Sequence, residues 1–255
     1  MHPVRLDPAA ELRLFGAALT TLTRLPWRLP PLRADWLARS SKFFPLVGVL
    51  VGGLSGLVLY GAAELWPRPI PALFAVAAAL LVTGALHEDG LADVADAAGG
   101  RDREAKLAIM KDPRLGSFAV LALILAVGLK VALLSSLGAV QALAALIAAG
   151  AVSRLWAVVV MSRTAYAGQR DLAKLDHGIE GPGTGEVALA LLFALLALLL
   201  LDQGAALGGL ALSALAAAAV ALPMCRSLGG HTGDVLGAVI VLGEIGFLLG
   251  ATIRP

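Results

Sequence analysis

The 255 residues are 59% hydrophobic and 15% charged, with a net charge of +2 and a mean hydropathy of +0.86. A soluble domain carries about 25% charged residues, so this chain lacks the polar surface a water-soluble enzyme needs. The single cysteine, Cys225, excludes a disulfide scaffold, and so small a net charge gives no reason to expect a nucleic-acid partner.

The composition predicts an all-α, polytopic membrane bundle forming one domain over residues 1–255, with no internal repeat. The stretch 9–25 carries Glu11, Arg13 and Arg24. It is too polar to span and reads as an interfacial helix, with a re-entrant helix as the alternative. A span needs about 20 mostly apolar residues, and seven runs fit or nearly fit: 44–65, 70–86, 117–137, 139–161, 186–201, 205–224 and 235–253. They are rich in Leu and Ala and lack the two-residue alternation of strands. The segments 1–43, 87–116, 162–185 and 225–234 hold 16 of the 20 Lys and Arg and 14 of the 18 Asp and Glu. The positive-inside rule places these segments in the cytoplasm, with the N-terminus inside and the C-terminus outside. Nearly all the ionisable chemistry then faces one side, whereas a transporter usually sets some at mid-membrane. An enzyme at the cytoplasmic face of the lipid bilayer is expected. The 29 glycines suit close helix packing in lipid and are compatible with a homo-oligomer.

The densest chemistry is His87-Glu88-Asp89-Gly90-Leu91-Ala92-Asp93-Val94-Ala95-Asp96. If the helix of the second span runs on, Asp89, Asp93 and Asp96 fall at i, i+4 and i+7, on one face. Like charges at that spacing destabilise a helix unless something positive compensates. Hard oxygen ligands at a low-dielectric edge suit Mg²⁺ or Mn²⁺, so Glu88, Asp89, Asp93 and Asp96 are candidate metal ligands. A solvated acidic cap is the alternative. Gly90 would let a phosphate approach the backbone. His87 reads as a ligand, an acid/base group or a solvated residue.

After Gly99-Gly100, Asp102 can cap a short cytoplasmic helix that Asp112-Pro113 ends. Lys106, Lys111 and Arg114 would offer charge to phosphate oxygens, or to anionic lipid; Arg114 and Lys111 are the candidates for catalysis. Gly229-Gly230-His231-Thr232-Gly233-Asp234 precedes the last span. Its glycines and Thr232 fit a turn whose amides meet an anion at a helix start. Asp234 is an N-cap or a further metal ligand. Lys130, Arg154 and Glu244 lie within predicted spans, where ionisable residues usually face the bundle. A structural Lys130–Glu244 pair is expected, and Arg154 could snorkel toward a phosphate.

The acidic element resembles the aspartate-rich motif of CDP-alcohol phosphotransferases in part, but Leu86 stands three before Asp89 where that motif has an acid. A fuller resemblance is carried by three stretches: Arg-Ser-Ser-Lys-Phe-Phe-Pro-Leu-Val-Gly at 39–48, the acidic element with Gly-Gly-Arg-Asp and Ile-Met-Lys-Asp-Pro-Arg-Leu-Gly, and Gly-Gly-His-Thr-Gly-Asp-Val-Leu-Gly-Ala at 229–238. These are similar to the cobalamin synthase (adenosylcobinamide-GDP ribazoletransferase) family from about Phe15 onward. Pro113 replaces an expected Ser, and the loop 163–185 matches poorly. The resemblance implies a multi-pass inner-membrane enzyme that needs Mg²⁺ and joins adenosylcobinamide-GDP to α-ribazole or its 5′-phosphate, releasing GMP. By analogy with the lipid-synthase motif, Asp96 would take the hydroxyl proton. A CDP-alcohol phosphotransferase and a divalent-cation transporter are the alternative readings.

Overall fold

The computed structural model describes residues 7–28, 35–168 and 181–253; part of the loop 163–185 lies outside them. Among the described residues the chain is helical, without a strand beyond one isolated bridge between Tyr166 and His231. The helices are α1 (Pro8–Leu22), α2 (Trp36–Ser40), α3 (Phe44–Ala63), α4 (Ile70–Thr83), α5 (Leu86–Ala97), α6 (Arg103–Ile109), α7 (Ser117–Ser136), α8 (Ala139–Arg163), α9 (Thr184–Leu198), α10 (Gln203–Leu228) and α11 (Gly233–Ala251).

Five elements are long and apolar enough to cross a bilayer: α2–α3 as one 28-residue unit, α7, α8, α10 and α11. Counting α4 and α5 together as one broken span gives six. The expected seven is therefore not reached by length. At 1.5 Å per residue the 15-residue α9 extends about 22 Å, short of the roughly 30 Å hydrocarbon core. The 14-residue α4 is shorter still. The expected polar N-terminal helix is α1, which buries Leu14, Gly16, Ala17, Ala18, Leu19 and Leu22. It is tied to the bundle by the Glu11–Lys42 ion pair at 2.6 Å and by the Arg24 amide donating to the Val82 carbonyl at 2.8 Å.

One expectation at the centre of the sequence reading changes. The second span does not run on into the acidic element. Gly84 and Ala85 both take left-handed conformations (φ 67° and 56°), and the Ala85 amide donates back to the Leu80 carbonyl at 2.9 Å. Such 6→1 closure ends a helix, and two left-handed residues in succession turn the chain by 91°. The acids are carried by a separate helix, turned away from α4 and packed on α11 and α7.

Helix contact is made through absent side chains. Gly48, Gly52 and Gly56 line one face of α3; a Cβ on the first two would stand under 3 Å from backbone atoms of Gly150 and Leu146 on α8. Gly208 and Gly246 do the same between α10 and α11. In lipid, where no hydrophobic force drives helices together, such backbone approach supplies the dispersion contact. Gly52→Val should therefore cost at least ~1–3 kcal/mol by overpacking and lower thermal stability in detergent. Gly61→Ala, on the same helix with nothing within 4 Å, should be neutral or slightly stabilising.

Candidate active site

The segments rich in charge meet at one end of the bundle. A cavity of about 300 Å³ there is walled by Leu22 of α1, Phe44, His87 and Asp89 of α5, Met161 of α8, Tyr166, His231, and Gly233 and Asp234 at the start of α11. Each of these charge-bearing stretches contributes a wall, so the one-sided sorting seen in the sequence has a geometric counterpart.

The acids divide into three groups. Asp89, Asp93 and Asp234 have no Lys or Arg partner among the described residues. Partial burial pushes the Asp93 carboxyl up to about 6, and the neighbouring negative charges of Asp234, Asp89 and Asp96 add to the rise. That crowding is electrostatic demand for a cation. Asp96, expected as proton acceptor and metal ligand, is otherwise engaged. Its oxygens accept the Gly116 amide at 2.6 Å and the Ala119 amide at 3.0 Å, so it caps the first turn of α7 from across the site. Glu88, expected in the metal cage, faces the bundle interior and pairs with Lys130 at 3.2 Å.

That pair continues inward. Lys130 also meets Glu244 at 2.8 Å, and Glu244 meets Arg154. The expected Lys130–Glu244 contact is therefore present, within a four-membered chain linking α5, α7, α11 and α8. Arg154 is used here and does not snorkel to the polar end. Beneath the chain, a void of about 30 Å³ touches Glu88, Lys130 and Glu244. Among the described residues, no group of three or more His, Cys, Asp or Glu side chains is arranged to hold a metal ion. The cage of Glu88, Asp89, Asp93 and Asp96 is accordingly not assembled. The donor chemistry of Asp89 and Asp234, with Asp93 beside them, still fits a hard dication. Mg²⁺ keeps several waters and typically takes one or two carboxylates plus substrate phosphates.

Gly90 serves a different purpose from the one expected. A Cβ there would stand under 3 Å from the Asp234 backbone. Gly90 thus lets α5 and the start of α11 touch, bringing Asp89 and Asp234 to one cavity rather than admitting a phosphate. In the glycine-rich turn, Gly229 and Gly230 have φ 73° and 154°, which side-chain-bearing residues rarely adopt. The Gly230 and His231 amides donate to the Cys225 and Ala165 carbonyls at 2.8 and 2.9 Å. They are not available to an anion. Thr232 caps α11 through the Val235 amide at 3.3 Å, leaving His231, Gly233 and Asp234 as the part of the turn that faces the cavity.

The two cations picked for catalysis separate. Arg114 is 87% exposed and forks onto neighbouring Asp112 at 2.6 Å, with no contact to the acidic face. Lys111 lines an adjoining polar cleft with Arg103 and Tyr166. Tyr166 belongs to the walls of both spaces. Sequence reasoning missed Tyr166, which is set by the bridge to His231, and gave no role to His231. Its Nδ1 lies 2.9 Å from the Thr164 hydroxyl, and burial lowers its pKa. His87 is a buried wall residue of the same cavity.

A family model described as cobalamin-5-phosphate synthase matches residues 14–252. Among curated proteins, an adenosylcobinamide-GDP ribazoletransferase of Leptothrix cholodnii is 42% identical over 252 residues, covering 94% of this chain and 95% of that one. One of Shewanella amazonensis is 40% identical, covering 89% and 90%. One of Escherichia coli is 40% identical, covering 93% and 98%. No solved structure matches.

Removing one partner of a buried ion pair leaves the other charge uncompensated, typically at ~3–5 kcal/mol. Lys130→Met should therefore lower thermal stability in detergent by that order, because Glu88 loses its only cation among the described residues and Glu244 is left with Arg154 alone. Arg114→Gln should change it by no more than about 0.5 kcal/mol.

Proposed function

Because the chain belongs to the cobalamin-5-phosphate synthase family, we propose that it is a membrane-embedded transferase that joins adenosylcobinamide-GDP to α-ribazole or its 5′-phosphate and releases GMP, the final step of nucleotide-loop assembly. The observation that carries this reading is the cavity in which Asp89 and Asp234 face one space with no basic partner. A site that binds a diphosphate through a dication needs this excess of negative charge. A phospholipid-forming phosphotransferase would need an acid where Leu86 stands. A cation transporter would need unpaired acids inside the spans, yet Glu244 is paired with Lys130 and Arg154.

In the proposed reaction the ribose 3′-hydroxyl of α-ribazole attacks the phosphorus next to cobinamide, that phosphorus–oxygen bond to GMP breaks, and GMP departs. Asp89 and Asp234 would hold Mg²⁺, which when bound neutralises diphosphate oxygens and steadies the departing phosphate. Asp93 takes the hydroxyl proton: it lies beside Asp89 and Asp234 and has no Lys or Arg partner among the described residues to hold its charge, so its carboxylate is free to act as a base. This replaces Asp96, whose oxygens are held by two amides. Lys111, in the adjoining cleft, meets phosphate charge on the GMP side. The site works from the cytoplasmic face of the inner membrane, where the basic segments favour that end of the bundle.

Asp89→Asn should lower turnover by ~10²–10⁴, assayed as GMP formed in lipid from adenosylcobinamide-GDP and α-ribazole. The same substitution should abolish the rise in thermal stability that Mg²⁺ gives the wild type. Asp93 must be ionised to accept a proton, so wild-type kcat should fall on the acidic side and level off toward neutral pH, and the fall should move to lower pH as Mg²⁺ saturates the neighbouring carboxylates. Asp93→Asn should remove that limb along with most turnover, whereas Asp96→Asn should chiefly lower stability. GMP release that continues unchanged in EDTA would defeat the metal assignment. Turnover of CDP-diacylglycerol in place of the corrinoid would defeat the substrate assignment.

A further inference from the structure

On the flank of the bundle, α8 and α10 diverge around an almost wholly apolar groove of about 550 Å³. Its floor is built from small side chains of α10, including Ala217 and Ala221. One end is closed by Trp156, whose indole N–H donates to the Ser213 hydroxyl at 2.9 Å, and that hydroxyl donates to the Gly243 carbonyl at 2.8 Å. The other end opens beside the last turns of both helices. There Arg163 of α8 and Arg226 of α10 line the mouth. Both are exposed, and neither has a carboxylate partner among the described residues. From Ala214 to Arg226 the wall runs twelve residues, about 18 Å at 1.5 Å per residue. An apolar slot of that length, closed in the bundle and crowned by two guanidinium groups at one polar end, has the polarity of a phospholipid standing in a leaflet.

We propose that this groove binds one anionic phospholipid, with an acyl chain along α10 and the headgroup phosphate bridged by Arg163 and Arg226. Arginine suits that role because its planar fork meets phosphate oxygens in pairs. A neutral zwitterionic lipid would bring its own cation to the two guanidiniums, so the preference should follow net headgroup charge. The groove is separate from the acidic cavity but touches it through one residue. Thr164 lies in the groove wall and hydrogen-bonds to His231, which lines the cavity. The groove is independent of which substrates the enzyme uses.

The test is native mass spectrometry of the full chain released from nanodiscs holding equal phosphatidylglycerol and phosphatidylcholine. Two basic residues at a membrane surface should favour the anionic lipid by about thirtyfold. The double substitution Arg163→Gln, Arg226→Gln should reduce that preference to within about twofold of unity while leaving GMP release in mixed lipid intact. Ala218→Phe, which fills the groove without touching either arginine, should lose the retained lipid of both kinds. Equal retention of the two lipids by the wild type would overturn the proposal. So would a preference that survives the double substitution, retention unaffected by Ala218→Phe, or a second copy of the chain found in the groove by cross-linking at Ala218.

Discussion

Charge neutrality in a low-dielectric interior governs this bundle. Lys130 and Arg154 sit on α7 and α8, and Glu244 sits on α11. Two cations against one carboxylate leave a buried positive charge, whose cost in lipid is several kcal/mol. Glu88 closes the balance, and it reaches Lys130 from α5, the second arm of the bent α4–α5 pair. The interior ionic chain is therefore also the anchor that fixes the first turn of the acidic helix. Residues 88 and 89 point about 100° apart on a helix. Holding Glu88 inward leaves Asp89 for the cavity.

The same turn of helix thus serves stability and chemistry by separate side chains. Glu88 has its charge cancelled inside, Asp96 has its oxygens taken by the amides that begin α7, and Gly90 lets the start of α11 close against α5. What remains is a small group of carboxylates, Asp89, Asp93 and Asp234, that the protein brings together and does not neutralise. Partial burial first, and then the charges of its neighbours, raise the Asp93 carboxyl. A fold that retains such repulsion at one place, while balancing charge with care elsewhere, leaves there a site whose balance is completed by what it binds.

Much of this was legible in the sequence. Composition alone gave a helical membrane bundle, and the segregation of charged segments anticipated a shared polar end. The acidic element and the glycine-rich turn were both singled out, and they do meet. What failed was continuity. Nothing in a hydropathy profile distinguishes a span that continues into Leu86 from one that stops at Thr83 and turns, because Ala85 is an ordinary helix former held left-handed by its surroundings. The roles inside the acidic element were equally hidden. Spacing places acids on a face, but it does not say which will find Lys130 or the amides of α7. One signal was available and unused: Lys130, Arg154 and Glu244 do not sum to zero, so a second buried carboxylate was required. Arg114 was a candidate as a cation close in sequence to the acidic element, whereas Asp112, two residues away, captures it locally.

The 91° bend at Gly84 and Ala85 sets how a ligand meets the acids. Had the second span continued straight, its acids would have followed the line of α4 away from the start of α11. The bend instead sets Asp89 of α5 in the same cavity wall as Asp234 of α11, so two acids far apart in the chain become neighbours through a change of backbone direction and not through sequence spacing.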